Sequence, residues 1–255
     1  MLGGEARRLP DTAGYEIWLL CLGWLDFEPG QVLPDEPASI CVNALLLRGH
    51  AETLLVDAGS GPVDVLWPGA AALDEALASA GFARADVDAV VLTHMDFDHS
   101  GGALQGTWPD DLRPAFGRVI LSEIGIDWWR QREPDEWNAG TRIVEVYEAA
   151  GGLELVADGV EFRPQLRLVS APGHRQGHSV LLVGDELVHG ADLLHHASHV
   201  EHPDWDGYYD VDVVQALDTR QRWFAHLAAD ATPVVFSHLA ERGRIAPGPR
   251  WQPDA

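Results

Sequence analysis

Between an apolar run and a pair of glycines this chain carries His94-Met95-Asp96-Phe97-Asp98-His99, four side chains able to hold a metal within six residues. The preceding Val87 to Thr93 reads as a buried strand, so the cluster begins where the chain leaves a sheet. Gly101-Gly102 then allow a tight return. Imidazoles and carboxylates together suit Zn, Fe, Mn or Co, and the absence of cysteine from the segment argues against a structural zinc knuckle. A fold that uses this segment must bring further ligands from other strands to the same rim.

Such residues recur downstream after other strand-like runs. His174 follows Leu168 to Gly173, Asp192 follows Leu187 to Ala191, and His238 follows Val234 to Ser237. The N-terminal third gives strands at Glu16 to Leu22, Ile40 to Leu47 and Thr53 to Val56, the last two forming a hairpin at Gly49-His50. A helix is expected from Asp74 to Ala80, closed by Gly81. Strand Arg118 to Ser122, helices Ile124 to Arg132 and Thr141 to Ala150, and strands Leu153 to Val156, Leu166 to Ser170, Val180 to Val183 and Leu187 to His189 follow. A last helix from Val211 to about Ala229 has Val213, Val214, Leu217, Phe224, Leu227 and Ala228 at helical spacing, with Asp210 or Asp212 as its cap. Strands thus come in two groups, each followed by helices, without a linker. The expectation is one domain over residues 1–255, an α/β four-layer αββα sandwich.

Composition narrows the chemistry. All 17 basic residues are arginine against 40 acidic ones, a formal charge of −23. Without lysine there is no Schiff base, phosphate-loop lysine or lysine general base. The negative charge disfavours nucleic acid and anionic membranes as partners. The apolar run Trp18 to Leu25 is far short of the roughly 20 residues a bilayer span needs, and no signal-peptide pattern stands at the start. Cys21 and Cys41 read as reduced core residues, with a disulfide as the alternative. The cytoplasm is the expected compartment, and the oligomeric state is open, a dimer included.

The ordered pattern His94-x-Asp96-x-Asp98-His99, Pro172-Gly173-His174-Arg175-Gln176-Gly177-His178, Asp192 and His238 resembles the metallo-β-lactamase-fold hydrolase superfamily. Leu54 to Gly59 looks like that family's early Asp-x-Gly turn. Ala191 to His196, His202 to Trp205 and Thr219-Arg220 look most like the branch of acyl-homoserine lactonases and methyl-parathion-hydrolase-like enzymes. The resemblance implies one metal held by His94, Asp96 and His174, a second by Asp98, His99 and His238, and Asp192 bridging them. Asp185, in a hairpin bend, is the competing bridge. Two divalent ions are implied, Zn favoured, with Mn, Fe or Co as alternatives.

Asp96 departs from the family, where most members have histidine. Two divalent cations (+4), three carboxylates (−3) and a bridging hydroxide leave zero rather than the usual +1, so bound water should be acidified less. One full and one weak site, or an inactive descendant, are the outcomes set against a working pair. The resemblance implies attack by the hydroxide on a small ester, lactone or phosphotriester, lactone favoured. Asp98 would pass a proton to the leaving oxygen and His195 would aim at the oxyanion. His178 would orient a neighbour or cap its loop, and Asp57 would support the site or its turn. His50 and His226 read as ordinary surface or helix positions.

Of the ten tryptophans, Trp18, Trp24 and Trp67 are candidates for an apolar cleft and Trp128, Trp129 and Trp137 for a lid, with core packing as the plainer alternative. Two other activities compete: a mononuclear iron oxidoreductase of the same fold, and a binding protein that has lost turnover. The segment from Leu239 to Ile245 departs from the Pro/Gly-rich loop expected in the lactonase branch, which leaves the substrate open.

Overall fold

Strands buried on both faces have no polar side to show, and the apolar runs of this chain are of that kind. Leu54 and Val56 point one way and Leu55 the other, and Ala89 and Val91 oppose Val90 in the same manner. The computed structural model, described for residues 1–65, 69–132, 139–205 and 207–254, converts this double burial into layers.

The first sheet contains β1 (Ala6–Thr12), β2 (Tyr15–Phe27), β3 (Ala38–Gly49), β4 (Glu52–Val56) and β5 (Ala89–Val91). After a side hairpin of β6 (Leu104–Thr107) and β7 (Asp111–Pro114) it is completed by β8 (Val119–Ser122) and β9 (Leu153–Val156). Pairing is antiparallel from β1 to β4 and parallel from β4 through β5 and β8 to β9. The second sheet runs β10 (Glu161–Arg163), β11 (Leu166–Ser170), β12 (Ser179–Val183), β13 (Leu187–His189), β14 (Val234–Val235), β15 (Gly243–Ala246) and β16 (Arg250–Pro253). Only β13 and β14 pair in parallel within it.

Leu45, Leu47, Leu54 and Val91 of the first sheet meet Leu168, Leu181, Val183 and Val235 of the second in a dry layer. The opposite face of the first sheet packs on α1 (Leu73–Ala80) and α4 (Ala139–Ala150) through Leu77, Ile143 and Tyr147. A short α2 (Phe97–Ser100) and α3 (Ile126–Gln131) lie on the way. On the second sheet, α5 (Val213–Asp230) covers Val180, Val188 and Val234 with Phe224 and Leu227. This is the αββα sandwich expected from the order of elements.

Several expectations are corrected. The last helix begins at Val213, its cap is Asp212, which accepts from the Gln215 amide at 3.0 Å, and Val213 and Val214 face solvent. Phe224 and Leu227 are buried as expected and Ala228 packs partly buried beside them, but the first half of the inner face is Ala216, Thr219 and Arg220, where a buried arginine replaces an aliphatic residue in the stripe. Strands β1, β10, β15 and β16 alternate too weakly in hydrophobicity to stand out in the sequence. Cys21 and Cys41 are free buried thiols, which removes the disulfide alternative, and burial pushes the Cys41 thiol up to about 12. No helix among the described residues is long and apolar enough to cross a membrane.

Candidate metal centre

Four strands of the two sheets end at one rim, and each delivers a polar side chain there. β5 leads to His94, β11 to His174, β13 to Asp192 and β14 to His238. The glycines after His99 let its loop press against the turn that follows β4. A Cβ on Gly102 would lie 1.9 Å from the Ala58 carbonyl oxygen, so no other residue fits there. The Ala58 amide donates to the His99 carbonyl at 2.7 Å and the Gly102 amide to that of Gly59 at 2.7 Å. Gly173, at φ +125°, is equally constrained: its Cβ would meet the Ala216 amide nitrogen at 2.2 Å, where the loop carrying His174 abuts α5.

The structure gathers all seven residues expected to hold metal, with His195. His94, Asp96 and His174 form one group and Asp98, His99 and His238 another, each with its ligand-type atoms mutually within 4.8 Å. Asp192 stands between: its Oδ2 is 3.7 Å from His94 Nε2, 3.5 Å from His174 Nε2 and 3.2 Å from His238 Nε2, and its Oδ1 is 3.3 Å from His99 Nε2. Asp185, by contrast, is fully exposed in its bend and touches Arg167. His195 Nε2 is 3.3 Å from Asp192 Oδ2, and its ring stacks on that of His238.

Each of the four converging imidazoles is pinned through Nδ1, which fixes its tautomer. His99 donates to Asp57 at 2.9 Å, His174 to Asp210 at 3.0 Å and His238 to the Cys41 carbonyl at 2.8 Å. His94 donates to Thr93 Oγ1 at 3.1 Å, whose hydroxyl donates on to Asp57 at 2.8 Å. Every Nε2 lone pair is therefore turned inward. The Nε2 atoms of His94, His99 and His174 and Oδ1 of Asp192 are buried and make no hydrogen bond among the described residues. Leaving such atoms unpaired is costly, and a cation on the common point would satisfy them.

Charge points the same way. Burial alone would lower His99 and His174, yet Asp192, Asp98 and Asp57 hold His99 well above its ordinary value, and Asp210 and Asp96 raise His174. Burial likewise opposes ionisation of Asp192, but His99, His238 and His94 hold it well below the carboxylate range. Burial and the neighbouring His99 hold His94 well below its ordinary value, so the carboxylates favour positive charge at His99 and His174 in particular, and divalent cations are ligands that supply such charge. The donor set fits them.

Around this centre the other sequence candidates find defined places. His178 accepts from the Asp192 amide at 3.1 Å through Nε2 and donates to the Ala171 carbonyl at 2.7 Å, orienting its neighbour as expected. His199 accepts from the His195 amide, His196 caps a 3₁₀ turn, and His202 stacks on Trp205. His189 is buried in the core.

Sequence reasoning missed three residues. Asp210, weighed with Asp212 as the helix cap, receives His174 and is held at 3.0 Å by the buried Arg220, which also donates to the Leu193 and Pro203 carbonyls. Arg175 donates through Nε to Asp96 Oδ1 at 2.6 Å. Its place directly after His174 was a local signal; its partner, 79 residues away, was not.

A cavity of about 600 Å³ opens over the cluster, with Leu25, Phe27, Ile40, Trp128 and Trp129 in its walls and Asp98 and His195 on its floor. Trp18 is corrected: it packs against Phe82 under the Arg8 guanidinium, outside this cavity. Trp24 donates to the Met1 carbonyl and is also absent from the lining. Trp67 and Trp137 lie outside the described residues.

The family model of the metallo-beta-lactamase superfamily matches residues 42–238. Among curated proteins, the probable metallo-hydrolase Rv2300c of Mycobacterium tuberculosis is 26% identical over 213 residues, 72% of this chain and 64% of that protein. The chain therefore spans less than two thirds of the length of that relative. Among solved structures, AidC, a dizinc quorum-quenching lactonase in complex with a product, is 21% identical with a TM-score of 0.81, covering 98% of both chains. The hydrolase AbOPH, of the beta-lactamase superfamily, is 19% identical with a TM-score of 0.83, covering 100% of this chain and 98% of its own. A mutant of B. thuringiensis AiiA with N-decanoyl-L-homoserine bound at the active site is 17% identical with a TM-score of 0.68, covering 89% of this chain and 94% of its own.

Proposed function

Because this chain belongs to the metallo-β-lactamase superfamily, we propose that its histidine–aspartate cluster holds two divalent metal ions and hydrolyses a small neutral ester, with lactones favoured over phosphotriesters. The observation that carries the reading is the pair of three-residue groups joined by Asp192, with unpaired buried atoms aimed at their centres. His94, Asp96 and His174 would hold one ion, Asp98, His99 and His238 the other, and Asp192 would serve both. Zinc suits the four imidazoles, and Mn, Fe or Co suit the three carboxylates. Held there, two such ions would supply Lewis acidity toward an ester-type oxygen and a water acidified enough to attack at neutral pH.

The chain's own residues do the rest. The apolar walls exclude water and seat an acyl or aryl group, and the four Nδ1 hydrogen bonds keep the imidazoles from turning. Asp98, on the cavity floor, carries the proton to the leaving oxygen. His195, held by its contact with Asp192, faces the oxygen on which charge develops. The completeness of both groups supports this reading over a mononuclear iron oxidoreductase. Lactone preference draws support from the lactonases of the same fold and from the cavity's apolar walls.

The test is elemental analysis of the purified protein beside a hydrolysis panel of lactones, aryl esters and phosphotriesters. Two ions per chain and turnover greatest on lactones are expected. Fewer than one ion per chain after reconstitution with Zn and Mn, together with no turnover on any class, would overturn it.

A further inference from the structure

Among the described residues, Asp96 is the carboxylate of the cluster that pairs with an arginine. Its Oδ1 accepts from Arg175 Nε at 2.6 Å, which leaves Oδ2 turned toward His174 Nε2 at 3.5 Å and His94 Nε2 at 3.9 Å. Arg175 is not a loose surface partner. Its Nη1 donates to the Tyr209 carbonyl at 2.5 Å and to the His174 carbonyl at 3.2 Å, so one guanidinium holds the side chain of Asp96 and the backbone of His174 together. Tyr209 in turn precedes Asp210, the acceptor for His174 Nδ1. Two members of the first group are thus set by the same cation.

The charges tally in an informative way. Two divalent ions with three carboxylates give +1, and adding Arg175 gives +2. A histidine at position 96 without a cation at 175 would also give +2. We propose that Arg175 is a positioning residue paired with Asp96: it makes Asp96 present a single carboxylate oxygen to the first metal and keeps the centre's charge at that of a site with histidine at position 96. This rests on the two-metal reading above, and extends it to residues that act only as a pair: Asp96 in place of histidine is tolerated because Arg175 accompanies it.

The consequence is a coupling that can be read from metal binding alone. Asp96→His with Arg175 retained brings the centre to +3 and leaves a part-buried guanidinium facing the ions without its carboxylate. An extra unit charge at this range weakens cation binding by about tenfold or more. Asp96→His with Arg175→Met returns the centre to +2. Full-length protein is stripped with a chelator and titrated with Zn²⁺ against a chromophoric competitor, giving ions per chain and their affinities, with circular dichroism confirming the fold. Expected are two ions for the wild type, loss or at least about tenfold weakening of one in Asp96→His, and its recovery in the double variant. If Asp96→His does not fold, Asp96→Asn makes the same charge change without added bulk, and Arg175→Met should again recover binding.

Two ions bound by Asp96→His or Asp96→Asn as tightly as by the wild type would overturn the pairing alone. So would a double variant no better than the single one. A wild type that takes up no Zn²⁺ would overturn the metal reading and the pairing with it.

Discussion

His174 rests through Nδ1 on a carboxylate, Asp210, that is itself clamped by the buried Arg220, whereas His238 rests through Nδ1 on the backbone carbonyl of Cys41. The same contrast runs through both halves of the cluster. Around His94, Asp96 and His174 stand Arg175, Asp210 and Arg220, an ionic frame drawn from two loops and helix α5. Around Asp98, His99 and His238 stand Asp57, Cys41 and the core residue His189, delivered by neighbouring strands of the rim. The first half is backed by two arginines that must find their carboxylates, the second by a carboxylate and a carbonyl that the strand ends themselves deliver. Breaking the first frame should therefore cost both metal affinity and stability, and breaking the second should act more locally.

Asp192 belongs to both halves and should show the largest effect. Asp192→Asn is expected to lower kcat/KM by about a thousandfold or more and to release both ions, since it removes the shared carboxylate. Metal analysis decides this, and a variant still holding two ions would dissolve the distinction between halves and bridge.

Next comes Arg220→Met. It leaves Asp210 buried beside His174 without its arginine, so urea unfolding should show a loss of about 3–5 kcal/mol, the cost of breaking a buried ion pair. A loss below about 1 kcal/mol would mean that the ionic frame is not what holds the first half. Asp210→Asn should weaken one ion about 10- to 100-fold and leave the other unchanged, as measured by competition titration. Equal weakening of both would erase the contrast drawn here.

His189, behind the second half, supplies a pH test. Burial holds it down to about 4 from an ordinary 6.5, so between those values the unfolded chain binds a proton that the folded one does not. Stability from this source is present above pH 6.5 and is lost as pH falls toward 4, by about 2 kcal/mol from pH 7 to pH 5. His189→Leu should flatten that slope in urea titrations across the range, and an unchanged slope would remove His189 from the account. The smallest effect is expected at the cavity mouth: Trp128→Ala should raise KM several-fold for substrates with long acyl chains and leave kcat near its starting value.

Much of the centre was legible because its residues follow strands. His94, Asp96, Asp98 and His99 stand together after β5, and His174, Asp192 and His238 each come after an apolar run. A strand's direction carries its last residues to the rim, so spacing alone announced them. The preference for Asp192 over Asp185 came from the same reasoning, since a hairpin bend points away from the rim where a strand's end points to it. Asp210 and Arg220 were not legible, because a carboxylate before a helix and an arginine within one have ordinary local explanations. The misphased face of α5 is the same error seen from the other side: a buried arginine breaks an apolar stripe that periodicity assumes to be continuous.

What the sequence by itself determined is the order of the main elements, the double burial of the central strands and the identity of the histidines and aspartates that face inward at the rim, all of which depend on residues near one another in the chain. Only the tertiary structure decided which charges meet: Arg175 with Asp96, Asp210 with His174, and Arg220 behind them both. Those contacts depend on how loops and the helix α5 pack, across 79, 36 and 10 residues of chain respectively, and Coulomb forces between buried groups act through space with no trace in local periodicity.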